Sequence, residues 1–344
     1  MSTKSHKTIA VVGNFGYANH DLSGQTIKTR FTYELLKKYS QDKIIIFDTQ
    51  TLKNRMRIFN LFSKVCSCDI LVYLPAHGNL KYLFPIYFIL SKIFGFQIIY
   101  PVIGGWLVPY LKNKPVHRWM LKHIKVVLAE TTRMKNDLEN EYGFRNVDVM
   151  YNFRITDFKP VVSENEDLRL VYMARVDPQK GLDTIFRFCD YISSLPSQPK
   201  ITIDFYGQIM ESYKSEFERQ LNKYSFAKYK GVLEPKDIYE HISGYDMLIL
   251  PTHYYTEGLP GSLIEAYLSG LPAIVTEWMH SHEFVEDGVT GFVIPFKNNQ
   301  SEFNESIMKI YSDRKLLKLL KEGAISKSKH FTSEYAWNKI AKYL

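Results

Sequence analysis

Cysteine is scarce in this 344-residue chain: Cys66, Cys68 and Cys189 are an odd number, and CSC is neither a zinc knuckle nor a CxxC redox pair. A disulfide scaffold is excluded, and the three read as small, buried, reduced thiols of a cytosolic protein. The N-terminus MSTKSHKTIAVVGNFG lacks the apolar stretch of roughly 7–15 residues that precedes a signal-peptide cleavage site, so the protein is expected to stay inside the cell. A long hydrophobic run is missing too. In YLFPIYFILSKIFGFQIIY, Pro85, Lys92 and Gly95 intervene before the ~20 apolar residues of a membrane span accumulate, and a helix followed by a buried strand fits better. Low-complexity segments and internal repeats are absent. So is any acidic residue between Ile70 and Ala129, where Lys81, Lys92, Lys112, Lys114, Arg118, Lys122 and Lys125 fall among apolar stretches.

What is present belongs to a globular protein: 45% hydrophobic residues, with 24 Tyr and 22 Phe. The length exceeds the roughly 250–300 residues at which a single core stops growing, so two domains are expected. Charge divides unevenly along the chain. Residues 1–154 hold 22 Lys and Arg against 10 Asp and Glu, whereas residues 155–344 hold 22 against 26. The basic, aromatic first half suggests an anionic membrane surface or a phosphate-bearing lipid substrate; an ordinary solvated face is the alternative. Nucleic acid is not expected, because no reading motif accompanies the patch.

KTIAVVGNFG reads as a strand, followed by a polar loop and the helix TIKTRFTYELLKKY. DKIIIFDT, CDILVYLP, FQIIYPVI and IKVVLAE then alternate with helical segments, as expected for parallel strands covered on both faces. The alternation lapses at about residues 152–166, which reads as a linker, and resumes with LRLVYMARV, ITIDFYG, KYKGVL, YDMLILP, LPAIVTE and GFVIP. Two consecutive Rossmann-like α/β domains are predicted, with the cleft between them as the expected site because ligands bind outside the carboxyl ends of such strands.

Three segments carry chemistry. The first loop, GNFGYANHDLSGQT, has GxxG in place of the dinucleotide GxGxxG, so Gly13, Gly16 and Gly24 fit phosphate contact and plain turn geometry equally well. In VYMARVDPQKGLDT, Arg175 and Lys180 follow a strand and precede a helix. There they can neutralise a diphosphate, or be solvated surface cations. In LPTHYYTEGLPGSLIEAYLSG, Glu257 lies in a glycine-rich loop and Glu265 is placed in the first turn of a helix beginning near Ser262, where the helix dipole favours a carboxylate. Such carboxylates can accept hydrogen bonds from sugar and ribose hydroxyls.

EGLPGSLIE resembles the E-x7-E motif of the retaining glycosyltransferases of family 4, which have the GT-B fold of two Rossmann-like domains facing a central cleft. The order RVDPQKG, FYG, KYKGVL, YDMLILPTHYYTEG, SGLPAIV and EFVEDGVTGFVIP is similar too, and the resemblance is strongest from 170 to 296. It implies an acceptor-binding domain at 1–154, a nucleotide-sugar domain at 155–330 and a helix at 331–344 that packs back on the first domain. Glu257 would touch the donor hexose and Glu265 the ribose. Arg175 and Lys180 would grip the diphosphate, the backbone of Gly258, Leu259 and Pro260 would line the phosphate and sugar, with amide donors from the first two, and Gly207 and Val232 would lie at the base. Gly24 occupies the first position of the family's paired glycines, but Gln25 replaces the second.

Many members carry a histidine where this chain has Ile103, Gly104, Gly105 and Trp106; some bacterial surface-polysaccharide members have a GGWL-like sequence there. His77, after ILVYLPAH, is a candidate for the acceptor side together with Gly104, Gly105 and Trp106, although a lone histidine is as often structural. The resemblance implies a UDP-sugar donor, no cofactor, no metal in the absence of a DxD motif, and a polyprenyl-diphosphate-linked saccharide acceptor at the inner face of the cell membrane. A GT-B nucleotide-sugar epimerase and a non-catalytic partner subunit are the alternatives.

Overall fold

The computed structural model describes residues 6–17, 23–49, 62–162 and 165–344. Residues 1–5 of the N-terminus, 18–22 of the first loop and 163–164 of the expected linker therefore lie outside it. The chain forms two compact units, Met1–Ile155 with Thr332–Leu344, and Thr156–Phe331.

The first unit is built on β1 (Thr8–Gly13), β2 (Lys43–Asp48), β3 (Ile70–Leu74), β4 (Gln97–Pro101), β5 (Val126–Ala129) and β6 (Val147–Val149). They pair in parallel in the order β2-β1-β3-β4-β5-β6. Neighbouring residues of a strand point to opposite faces, so the unbroken apolar runs feed two cores. Ala10, Val12, Leu71, Tyr73, Ile98, Tyr100 and Val127 enter one, and Ile9, Val11, Val72, Leu74, Ile99 and Leu128 the other. The helix Ser333–Ile340 closes the second core with Ala336 and Ile340. Thr332 caps it by accepting from the Tyr335 amide at 3.3 Å and forms a parallel bridge with Arg154, while Trp337 stacks on Tyr39 at 5.5 Å. The C-terminal segment thus returns to the first sheet.

The second unit contains β7 (Leu168–Met173), β8 (Ile201–Tyr206), β9 (Ala227–Tyr229), β10 (Met247–Leu250), β11 (Ala273–Thr276) and β12 (Gly291–Ile294), all parallel, in the order β12-β11-β10-β7-β8-β9. The chain runs outward from β7 through β9, returns to the centre, and runs the other way from β10. Strand order therefore reverses between β7 and β10, the place where open α/β sheets bind ligands.

Three sequence expectations are corrected. β6 was unexpected: its three residues, VDV, carry an aspartate at the sheet edge and give no apolar run. The strand expected at KYKGVL ends earlier, at Tyr229, and Gly231 with φ 85° turns the chain away. Cys66 is only partly buried, unlike Cys68 and Cys189.

Candidate functional site

The segments that the sequence singled out in the second unit lie at the carboxyl ends of β7 and β10, on either side of the strand-order reversal. After β7, Asp177 caps the turn Pro178–Lys180 by accepting from the Gln179 amide at 2.9 Å, and the buried Tyr172 hydroxyl donates to the Arg175 carbonyl at 2.7 Å. The turn is pressed against the chain leaving β10. The His253 amide donates to the Gln179 carbonyl at 2.8 Å, and a Cβ on Gly181, whose φ is 78°, would lie 1.7 Å from the Pro251 carbonyl oxygen. Only glycine allows that approach.

This packing brings Lys180 to Glu257. Their ammonium and carboxylate are hydrogen-bonded, with side chains 18% and 16% exposed, and the Lys180 ammonium also lies 5.8 Å from the centre of the Tyr254 ring. A pair this shielded from water interacts more strongly than one on an open surface. Arg175 behaves differently: its guanidinium meets the Asp177 carboxylate at 3.2 Å, and its side chain is 61% exposed. Next to these, Asp183 bonds His253 at 3.2 Å and Arg187 at 3.0 Å. The His253 hydrogen bond, aided by the Arg187 charge and the Thr184 amide, outweighs burial and holds the Asp183 carboxyl below its ordinary value.

Gly258 is partly buried, Leu259 and Pro260 are buried, and they lead into the helix Gly261–Leu268. The expected position of Glu265 needs correction. The helix starts one residue earlier than its pattern implied, so Glu265 is its fifth residue and the first turn holds no acidic side chain. Its carboxylate is beyond the strongest part of the helix dipole. Gly207 follows β8 with its backbone against β7: a Cβ there would lie 1.9 Å from the Ala174 carbonyl oxygen. Val232, beyond β9, is exposed.

The first-unit candidates also gather. The His77 ring is 5.0 Å from Trp106 and 4.7 Å edge-on to Tyr110, and Trp106 meets Tyr110 edge-to-face at 5.4 Å. Gly104, with φ 75°, donates its amide to the Glu130 carboxylate at the end of β5. Gly105 is partly buried beside it, and Gly24 opens the helix Gly24–Tyr39, where an added Cβ would meet nothing within 4 Å.

Residues 153–327, just over half of the chain, match the family described as Glycosyl transferases group 1. The chain belongs to that family. An uncharacterized glycosyltransferase of Methanocaldococcus jannaschii is 24% identical over 253 residues, 68% of this chain and 60% of that relative. The amylovoran biosynthesis glycosyltransferase AmsK of Erwinia amylovora is 26% identical over 136 residues, 38% of this chain and 33% of its own. The matches thus span between a third and three fifths of these relatives. HepE of Anabaena, solved in complex with UDP-glucose, superposes with a TM-score of 0.71 at 16% identity over 98% of this chain and 99% of that one. Two six-stranded parallel sheets in this arrangement are those of the GT-B fold.

This member of the family has a polar core in its first unit that sequence reasoning missed. Lys28 is 4% exposed and donates to the Val102 carbonyl at 2.5 Å, and the Glu130 carboxylate, 1% exposed, accepts from Gly104 and from the Asn152 side chain. Burial lowers the Lys28 pKa, and the Glu130 charge partly restores it. The signal was in the helical spacing: Lys28, Thr32 and Leu35 recur on one face with Thr29, so Lys28 was bound to enter the core.

Proposed function

We propose that this protein transfers a sugar from a nucleotide-diphosphate donor, a UDP-sugar, to an acceptor hydroxyl with retained configuration. The observation that carries the reading is the Lys180–Glu257 pair at the strand-order reversal of the second sheet. An ammonium and a carboxylate fixed side by side suit a ligand that joins a diphosphate to a sugar: the cation meets the phosphate and the carboxylate accepts from a hydroxyl. Lys180 and Arg175 would stabilise the charge that grows on the departing diphosphate. Glu257 would bind the hexose and Glu265 the ribose; Gly258, Leu259 and Pro260 would border the phosphate, and Gly207 and Val232 the base. In a front-face reaction the sugar–phosphate bond breaks as the acceptor oxygen attacks from the same side, and the leaving diphosphate takes the acceptor's proton. The reaction needs no metal in this reading.

The acceptor is proposed to be a polyprenyl-diphosphate-linked saccharide of bacterial capsule, O-antigen or exopolysaccharide assembly, reached at the inner face of the cell membrane. The basic, aromatic first unit supports it, as does the likeness to an amylovoran biosynthesis enzyme. His77, Gly104, Gly105 and Trp106 would form the acceptor side, since aromatic faces with a ring nitrogen suit a sugar.

Thermal shift with UDP-, GDP- and dTDP-sugars tests the donor, because a ligand bound only by the folded state raises Tm. Nucleoside diphosphate release that depends on an acceptor is the expected result, undiminished by chelator. Absence of a shift with every UDP-sugar would overturn the donor assignment, and loss of transfer in chelator would overturn metal independence.

A further inference from the structure

The helix Phe84–Phe94 is apolar around most of its circumference, Lys92 being its one charged residue. Phe84, Tyr87, Phe88 and Ser91 are buried, yet Ile86, Ile89 and Ile93 on the opposite face are 43%, 57% and 68% exposed, with Phe94 at 54%. Positions 86, 89 and 93 fall within about 60° of one another around a helix, so they form a stripe. The neighbouring helix Pro115–Lys122 extends it: Trp119 packs edge-on against Phe88 at 5.4 Å while 55% exposed, and Val116 is 63% exposed. Water-facing helices of globular proteins place polar residues on that side, and a contiguous exposed apolar surface marks an interaction site.

Charge identifies the occupant. From Ile70 to Ala129 the chain has no Asp or Glu but seven Lys and Arg. Lys92 reaches the His123 carbonyl at 3.0 Å, bridging the two helices, and Lys81 extends over Tyr82 at its edge. A second copy presenting the same face would oppose cation to cation, and a neutral apolar partner would leave these charges without counterions. An anionic lipid interface meets both demands, taking isoleucine and tryptophan side chains at the acyl boundary and lysines at the headgroups. We propose that Ile86, Ile89, Ile93, Phe94, Val116 and Trp119 insert into the interface of an anionic bilayer, a monotopic docking face. No helix among the described residues is long and apolar enough to cross a membrane. The inference rests on the membrane-peripheral part of the reading above and is independent of its sugar chemistry.

The test is sedimentation of the purified full chain with phosphatidylcholine vesicles, with and without phosphatidylglycerol, at low and high salt. Wild type should bind the anionic vesicles, and salt should weaken that binding without abolishing it, because the inserted apolar part is unscreened. The Ile89→Glu/Ile93→Glu variant should lose roughly tenfold or more in partition, and Lys81→Glu/Lys92→Glu a similar factor at low salt only. All four side chains are exposed, so both variants should keep the wild-type Tm.

Wild type that fails to bind anionic vesicles at low salt overturns the proposal. So does a folded isoleucine variant that binds like wild type, or one whose light-scattering mass falls while vesicle binding is unchanged. The UDP-induced rise in Tm is read on the same samples. Vesicle binding lost with that rise intact supports the docking face, whereas wild type that binds vesicles but shows no rise overturns the donor reading alone.

Discussion

Gly181→Ala separates the packing of the candidate site from its chemistry. The glycine holds φ at 78°, where an L-residue pays about 1–2 kcal/mol. A methyl there would also lie 1.7 Å from the Pro251 carbonyl oxygen and 2.5 Å from its carbon, whereas ordinary contact begins near 3.4 Å. The neighbour is backbone rather than the end of a flexible side chain, so the Pro178–Gly181 turn and the chain leaving β10 must part by more than 1 Å. Overpacking of this kind adds about 1–3 kcal/mol. For a unit of this size the total, about 2–5 kcal/mol, lowers Tm by roughly 4–20 °C. Gly288→Ala is the control: φ is 73° but nothing lies within 4 Å, so only the dihedral cost of about 1–2 kcal/mol applies. Because Lys180 precedes Gly181, the same displacement carries its ammonium away from Glu257. A misplacement on that scale costs on the order of 100-fold in turnover. Scanning calorimetry and nucleoside diphosphate release measure the two effects. A Gly181→Ala protein with the Tm of Gly288→Ala, or with wild-type turnover, would refute the reasoning.

Glu257→Gln and Lys180→Met should each reduce turnover by at least about 100-fold while far-ultraviolet circular dichroism is unchanged; near-normal transfer by either would remove its assigned role. In the first unit, Lys28→Met leaves Glu130 in the core without its nearby cation and should destabilise by about 3 kcal/mol, and adding Glu130→Gln should recover part of the loss, so a double variant less stable than Lys28→Met counts against a coupled pair. Acid should loosen the C-terminal segment. Burial pushes the Asp148 carboxyl up, but the Lys342 bond at 2.6 Å, the Val149 amide and the Tyr343 hydroxyl outweigh it and hold its pKa below the ordinary value. A depressed carboxylate contributes stability that is present above the unfolded pKa, near 4, and lost as pH falls through the folded one. Hydrogen exchange at residues 333–344 should therefore accelerate below about pH 4 in wild type, and Asp148→Asn should exchange fast at neutral pH too; an Asp148→Asn profile identical to wild type would refute the clasp.

Legibility of the fold followed the reach of the signals. Parallel strands covered on both faces read as unbroken apolar runs, so DKIIIFDT, CDILVYLP and YDMLILP were visible one by one. The VDV strand was not, because an edge strand pairs on one side only and can carry an aspartate. The helix holding Glu265 was found but misplaced, because Gly261 is a poor helix former that here follows Pro260 into the first turn. Pattern fixes a helix's interior better than its ends.

Legibility of the site had a different limit. Arg175, Lys180, Glu257 and Glu265 could be proposed from sequence because each follows a strand whose carboxyl end faces the same way as its neighbours'. The Lys180–Glu257 bond joins residues 77 apart, and it depends on which two strands become neighbours. Local pattern does not contain that choice; strand order does. The same holds for the polar core around Lys28 and Glu130, which needs β1, β4 and β5 in their observed order, with Val102 accepting from the ammonium and Gly104 turning back to the carboxylate. Where the chain reverses its strand order, a motif becomes a pair of interacting groups. A titratable residue at a buried position, as Lys28 is on the inner face of its helix and Glu130 is after the apolar run VVLA, is the sequence trace of such a polar core before its partners are known.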